Sequence, residues 1–139
     1  MPRETSGAGF IFDSETFTIV IPAGTGQVSS VLSLPRGYGC TIISVKAVVR
    51  VAATGAGASR TFNLRKGSAT GTVVATATYV LADGATVGSV KDIPVTAAAA
   101  DFLDGDNLTI EWPTAGAVAF TAGDLIIAIT SRKRIQQRN

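Results

Sequence analysis

The chain of 139 residues has no histidine, one cysteine, one tryptophan and two tyrosines. Without histidine, the usual proton shuttle near neutral pH is missing, which leaves acid–base catalysis few groups to work with. The lone Cys40 cannot close an internal disulfide, so the chain suits a reducing compartment. It lies in Gly-Tyr-Gly-Cys-Thr-Ile-Ile (37–43) with no neighbouring base or cation to activate a thiolate, and is expected to be a quiet, half-buried side chain. No apolar run approaches the eighteen or more residues of a membrane span. Residues 1–9, Met-Pro-Arg-Glu-Thr-Ser-Gly-Ala-Gly, lack the apolar centre of a signal peptide. A soluble protein with no membrane partner is therefore expected. Charge is sparse, at 16 % of residues. So thin a charged shell is little protection against association, and burial of surface between subunits is one physical remedy.

What the chain does have is alternation. In Thr-Phe-Thr-Ile-Val-Ile (16–21), Phe17, Ile19 and Ile21 share one face. In 41–53, Ile43, Val45, Ala47, Val49 and Val51 oppose Ser44, Lys46 and Arg50. Thirteen residues at about 3.3 Å each make one strand of roughly 40 Å, or two with a bend between them. Phe62 and Leu64 oppose Thr61, Asn63 and Arg65. Val73, Ala75, Ala77, Tyr79 and Leu81 oppose Thr72, Val74, Thr76, Thr78 and Val80. Leu108, Ile110 and Trp112 oppose Asn107, Thr109 and Glu111, which places Trp112 in the core. Leu125, Ile127 and Ile129 oppose Ile126, Ala128 and Thr130. These are β-branched, half-buried strands.

Glycine-rich turn clusters separate them at 23–26, 54–58, 67–71, 82–85, 104–106 and 114–117, and Pro22, Pro94 and Pro113 stand at strand ends. The length fits one domain. The pattern predicts an all-β, single-domain β-sandwich, a jelly roll of about eight strands, with an immunoglobulin-like sandwich as the second choice. One helical segment of about two turns is expected at 96–103. The organisation expected is a flexible arm over 1–9, the sandwich over 10–131 and a basic tail over 132–139.

Phe-Leu-Asp-Gly-Asp (102–106) and Phe-Thr-Ala-Gly-Asp (120–124) echo one another before alternating strands. They read as two related corners: Phe in the core, Gly at a backbone angle other residues avoid, Asp bonding local amides. Asp101, Asp104, Asp106 and Asn107 could cup calcium, but their spacing departs from that of a calcium loop, and a plain turn is the preferred reading. No cofactor is expected. The glycine-rich stretches lack the lysine and helix of a phosphate loop. The clearest electrostatic feature is Arg132, Lys133, Arg134 and Arg138, four cations in the last eight residues with no acid among them. Without interleaved aromatics they are a poor nucleic-acid platform and a better match for solvent or an acidic protein surface. Arg3 and Glu4, in the N-terminal arm, are the matching candidates for partner contact at the other end.

The chain resembles the capsid decoration, or cement, proteins of tailed bacteriophages in its alanine-, threonine-, glycine- and valine-rich strands, such as 71–85, its Phe-x-x-Gly-Asp corners and its free ends, from about residue 10 to 134. The resemblance implies a virion structural protein rather than an enzyme, made in the host cytoplasm. It would sit on the outer capsid surface between capsomers as a homotrimer, with the major capsid protein as partner. The alternative is a tail or fibre β-sandwich that binds a host receptor or carbohydrate, and a small enzyme comes third.

Overall fold

A computed structural model describes residues 14–28, 38–68, 70–113 and 120–134. It is all-β. The strands are β1 (Ser14–Ile21), β2 (Gly26–Val28), β3 (Gly39–Thr54), β4 (Ser59–Lys66), β5 (Val73–Val80), β6 (Val90–Asp92), β7 (Asp101–Phe102), β8 (Leu108–Trp112) and β9 (Ala122–Arg134). One sheet runs β1-β9-β3-β6, with β7 also on β3, and the other runs β2-β8-β4-β5.

The jelly roll follows from this order. β6 and β7 pair with successive parts of one strand: Lys46 lies opposite Asp92, and Cys40 opposite Phe102. Counting them as one interrupted strand gives eight among the described residues. The first then pairs with the eighth, the second with the seventh, the third with the sixth and the fourth with the fifth. That is a single antiparallel ribbon. Rolling it adds the contacts β9 on β3 and β8 on β4 and yields two facing sheets.

The core fills the space between the sheets. Val45, Ala47 and Val49 of β3 and Leu125, Ile127 and Ile129 of β9 meet Phe62 and Leu64 of β4 and Leu108, Ile110 and Trp112 of β8, all buried. The expected alternation holds through the middle of each strand. At the ends of β3 it breaks, because the register against β9 shifts between Ile42 and Ser44 and again between Val49 and Val51. Ile42 is buried in place of Ile43, and Ile43 and Val51, expected inward, are 42 % and 45 % exposed. Residues 41–53 thus form one long strand bent by bulges. A shift between Leu64 and Arg65 has the same effect on β5, burying both Val74 and Ala75.

The helix expected over 96–103 is not formed. Only Ala97–Ala99 make a 3-10 turn, and Asp101–Phe102 return to β3 as β7. Alanine favours a helix, but the main chain finds better partners in the two sheets. The Thr96 amide donates to the Val74 carbonyl at 2.7 Å, and the Ile42 amide to the Ala100 carbonyl at 2.9 Å. Val95 also bridges to Ala75 on β5, so this excursion ties the two sheets along one flank. The small side chains of Ala99 and Ala100 let it sink into the core.

The two echoed corners share their phenylalanine and glycine but diverge at the aspartate. Phe102 and Phe120 are both buried, and Gly105 and Gly123 both have positive φ, 86° and 125°. Asp106 accepts the Leu103 amide at 2.8 Å, as a turn aspartate does. Asp124 lies instead on β9 and pairs with Arg50 across the sheet at 3.2 Å. A side chain at Gly123 would come within 2.7 Å of the Ala53 backbone, so glycine is required there by close approach as well as by its φ.

Candidate functional site

β9 continues through Arg132, Lys133 and Arg134, three residues past the expected end of the sandwich at 131. Arg132, Lys133 and Arg134 lie opposite Thr41, Cys40 and Gly39 of β3, and Arg132 also lies opposite Ser14 of β1. All three side chains are exposed. The Lys133 ammonium lies 4.6 Å from the centre of the Tyr38 ring, whose hydroxyl donates to Glu15 Oε1 at 2.7 Å. This end of the molecule is therefore a basic strand end held in place by its neighbours. Arg3, Glu4 and Arg138 lie outside the described residues. The buried thiol of Cys40 sits on β3 just inside this cluster.

The outer face of the β1-β9-β3-β6 sheet carries a second feature. Val20 lies opposite Ile126, Ile126 opposite Val48, and Val48 opposite Val90. One apolar row thus crosses all four strands, with Val20 and Val90 at its ends 46 % and 58 % exposed. Ion pairs flank it on both sides: Lys46–Asp92 at 2.6 Å below and Arg50–Asp124 at 3.2 Å above. The next rows are Thr18–Ala128–Lys46 and Thr16–Thr130–Ser44, with Thr16 and Thr130 sharing a hydroxyl hydrogen bond of 3.0 Å. The outer face of the other sheet is polar. Glu111 of β8 accepts from Asn63 at 3.1 Å and from Arg65 Nε at 2.8 Å, and Thr76 donates to Asn63 at 2.7 Å.

The acidic residues weighed as a calcium site, Asp101 and Asp106 among them, are dispersed. Asp101 accepts the Thr41 hydroxyl at 2.6 Å, Asp106 caps its own turn, and the Asn107 carbonyl takes the Gly67 amide at 2.9 Å. Among the described residues no group of three or more acidic, cysteine or histidine side chains could hold a metal ion.

The parity of β4 that buries Phe62 and Leu64 also buries Arg60, which is 1 % exposed. Its guanidinium lies 4.5 Å from the Phe120 ring centre and 5.8 Å from that of Phe62. Nη1 donates to the Pro22 carbonyl at 2.9 Å, and Nε and Nη2 have no hydrogen-bond partner among the described residues. Burial lowers its pKa, against the opposing pull of Asp124. The alternation of Arg60, Phe62 and Leu64 marks this residue in the sequence, but charge makes it read as a surface group.

At the same end, Tyr79 packs edge-on against Phe62 at 5.8 Å and donates to the Asp83 carbonyl at 3.1 Å. Burial, then the nearby Asp83 charge, push its phenol up to about 12. Burial also pushes the Asp83 carboxyl up, but bonds from Lys91 at 2.8 Å and the Val80 amide at 2.9 Å outweigh it and leave the group below its ordinary value. Tyr79, Phe62, Phe102, Phe120 and Trp112 are all buried, and the other described aromatics, Phe17 and Tyr38, are half-buried.

No protein-family model and no curated protein matches the chain. Among solved structures it is similar to a chain titled Desmodium yellow mottle tymovirus, at 16 % identity and a TM-score of 0.34, over 91 % of both chains. It is also similar to one titled as the structure of infectious bursal disease virus, Gx strain, at 12 % identity and a TM-score of 0.25. That match covers 89 % of this chain and 37 % of the other. The jelly-roll assignment rests on the strand order of this chain alone.

Proposed function

We propose that the protein is a virion structural protein of the decoration type, which docks on the outer surface of a capsid through the basic end of β9. The carrying observation is that Arg132, Lys133 and Arg134 project from a paired strand. A loose cationic tail must be ordered on binding, whereas cations on a strand paired with β3, and at Arg132 with β1 as well, are ordered beforehand, which lowers the cost of association. Single exposed ion pairs contribute only about 0–1 kcal/mol. Three together, repeated over a symmetric lattice, add up to retention and speed encounter with an acidic surface. The proposed partner is the major capsid protein, and the proposed role is structural, without catalysis. Burial of Trp112, Tyr79, Phe62, Phe102 and Phe120 removes these five rings from the exposed aromatic platform that the alternative, a carbohydrate-binding tail module, would use.

The test is retention on undecorated capsids at rising salt. The intact protein should bind with a steep salt dependence, because exposed charges are screened. The combined variant Arg132→Ala, Lys133→Ala, Arg134→Ala should keep its fold and lose most retention. Equal retention at every salt concentration would place the contact elsewhere on the sandwich and refute this docking site.

A further inference from the structure

We infer that the outer face of the β1-β9-β3-β6 sheet binds a second copy of the same chain, face to face, about a two-fold axis parallel to the strands between β9 and β3. The inference does not depend on the capsid reading, since it rests on a different surface.

Such an axis keeps each row at its own height and exchanges strands left for right. β3 then lies over the partner's β9, and β6 over the partner's β1. Because one apolar row crosses all four strands, Val48 meets Ile126 and Val90 meets Val20, each contact being made twice. In the row above, Arg50 of one copy meets Asp124 of the other. The two in-chain ion pairs thereby join into a closed group of four alternating charges. In the row below, Lys46 meets the small Ala128 and Asp92 meets Thr18, so no like charges are opposed. The other face-to-face two-fold, with its axis along the apolar row, sets β3 over β3 and brings Lys46 against Arg50. Of the two symmetric packings that keep the strands aligned, charge therefore selects one, and the selected one is self-complementary, as an isologous interface must be.

The patch also has the layout of an interface, apolar in the middle and ion-paired at the rim. Four strands about 4.8 Å apart, over seven residues rising about 3.3 Å each, make a face of roughly 20 by 23 Å. Covering it on both copies removes roughly 1,000 Å² of surface, at the lower end for specific association. A reversible dimer with a Kd in the micromolar range is expected.

Sedimentation of the intact chain over a concentration series tests this. The expected result is a monomer–dimer equilibrium. Val90→Lys, at an exposed edge position, should weaken it at least tenfold without changing the circular dichroism spectrum. R50D should abolish it by setting four acids together. The double exchange R50D/D124R should restore it, since both the in-chain and the between-chain pairs re-form with signs reversed. A chain that stays monomeric at 100-fold above the micromolar range overturns the proposal. So does a trimer indifferent to Val90→Lys, or a folded double exchange that fails to dimerise.

Discussion

Arg60→Met should make the protein more stable, although it deletes a hydrogen bond and a cation–ring contact. The guanidinium is 1 % exposed, makes one hydrogen bond, to Pro22 at 2.9 Å, and lies 4.5 Å from the Phe120 ring centre. A hydrogen bond to a charged group contributes about 1.5–3 kcal/mol, and a desolvated cation–ring contact about 2. Against these stand two buried donors, Nε and Nη2, without partners among the described residues. Each costs about 1–3 kcal/mol, and taking the ion out of water costs several more. Methionine has a similar reach and an adaptable thioether that packs well on aromatic rings. The balance favours methionine by about 1–3 kcal/mol, within the range for replacing buried ions by apolar groups. For a domain of this length that is a rise in Tm of roughly 4–12 °C. Calorimetric melts of wild type, Arg60→Met and Arg60→Lys would measure it. Arg60→Lys keeps the charge and loses the planar contact, so its Tm should fall. A fall for Arg60→Met as well would refute the reasoning, because it would mean that the two spare donors are satisfied.

Three further outcomes are expected. Tyr79 should ionise near 12 in the folded protein, read as tyrosinate absorbance. Because the folded pKa lies above the unfolded value of about 10, the stability linked to it is complete below pH 10 and is lost as pH rises toward 12, a slope that Tyr79→Phe should remove. Asp83 is shifted the other way, so its contribution is present above about pH 4 and is lost as pH falls further. The Tm gap between wild type and Asp83→Asn should therefore be widest near neutrality and should close in acid, and a constant gap would contradict the assignment. Gly26→Ala places a Cβ within 2.5 Å of the Trp112 ring. A cost of about 1–3 kcal/mol is expected from overpacking, with a changed emission spectrum from the single tryptophan.

Much of the sandwich can be read in the sequence because burial with period two writes itself directly into the chain. Phe62, Leu64, Ile110, Ile127 and Ile129 each sit where alternation puts them. The misreadings have local causes. Alternation continues blindly through a bulge, so Ile43 and Val51 come out on the wrong face. The alanines of 97–100 express helix propensity that the two sheets override. Cations at a chain end suggest a tail, yet Arg132–Arg134 belong to β9. The apolar row is a different matter. Val20, Val48, Val90 and Ile126 come from four distant parts of the chain, each looking like an isolated exposed residue. Only the pairing register aligns them, and nothing local in the sequence encodes that register.

The placement of β9 has a consequence for how the molecule is made. Among the described strands this one comes latest in chain order, yet it lies inside its sheet, with β1 on one side and β3 on the other. The hydroxyl bond between Thr16 and Thr130 closes a loop of 114 residues. Contacts so distant in sequence form slowly, because loop closure must precede any gain from pairing. While the chain is being synthesised, β1 and β3 wait without the partner that joins them, exposing strand edges and half of the core. The sheet is completed only when residues 122–134 have left the ribosome, so pairing of β1 and β3 through β9 waits for this strand. A chain stopped short of β9 would be a substrate for chaperones and proteases rather than a smaller folded protein.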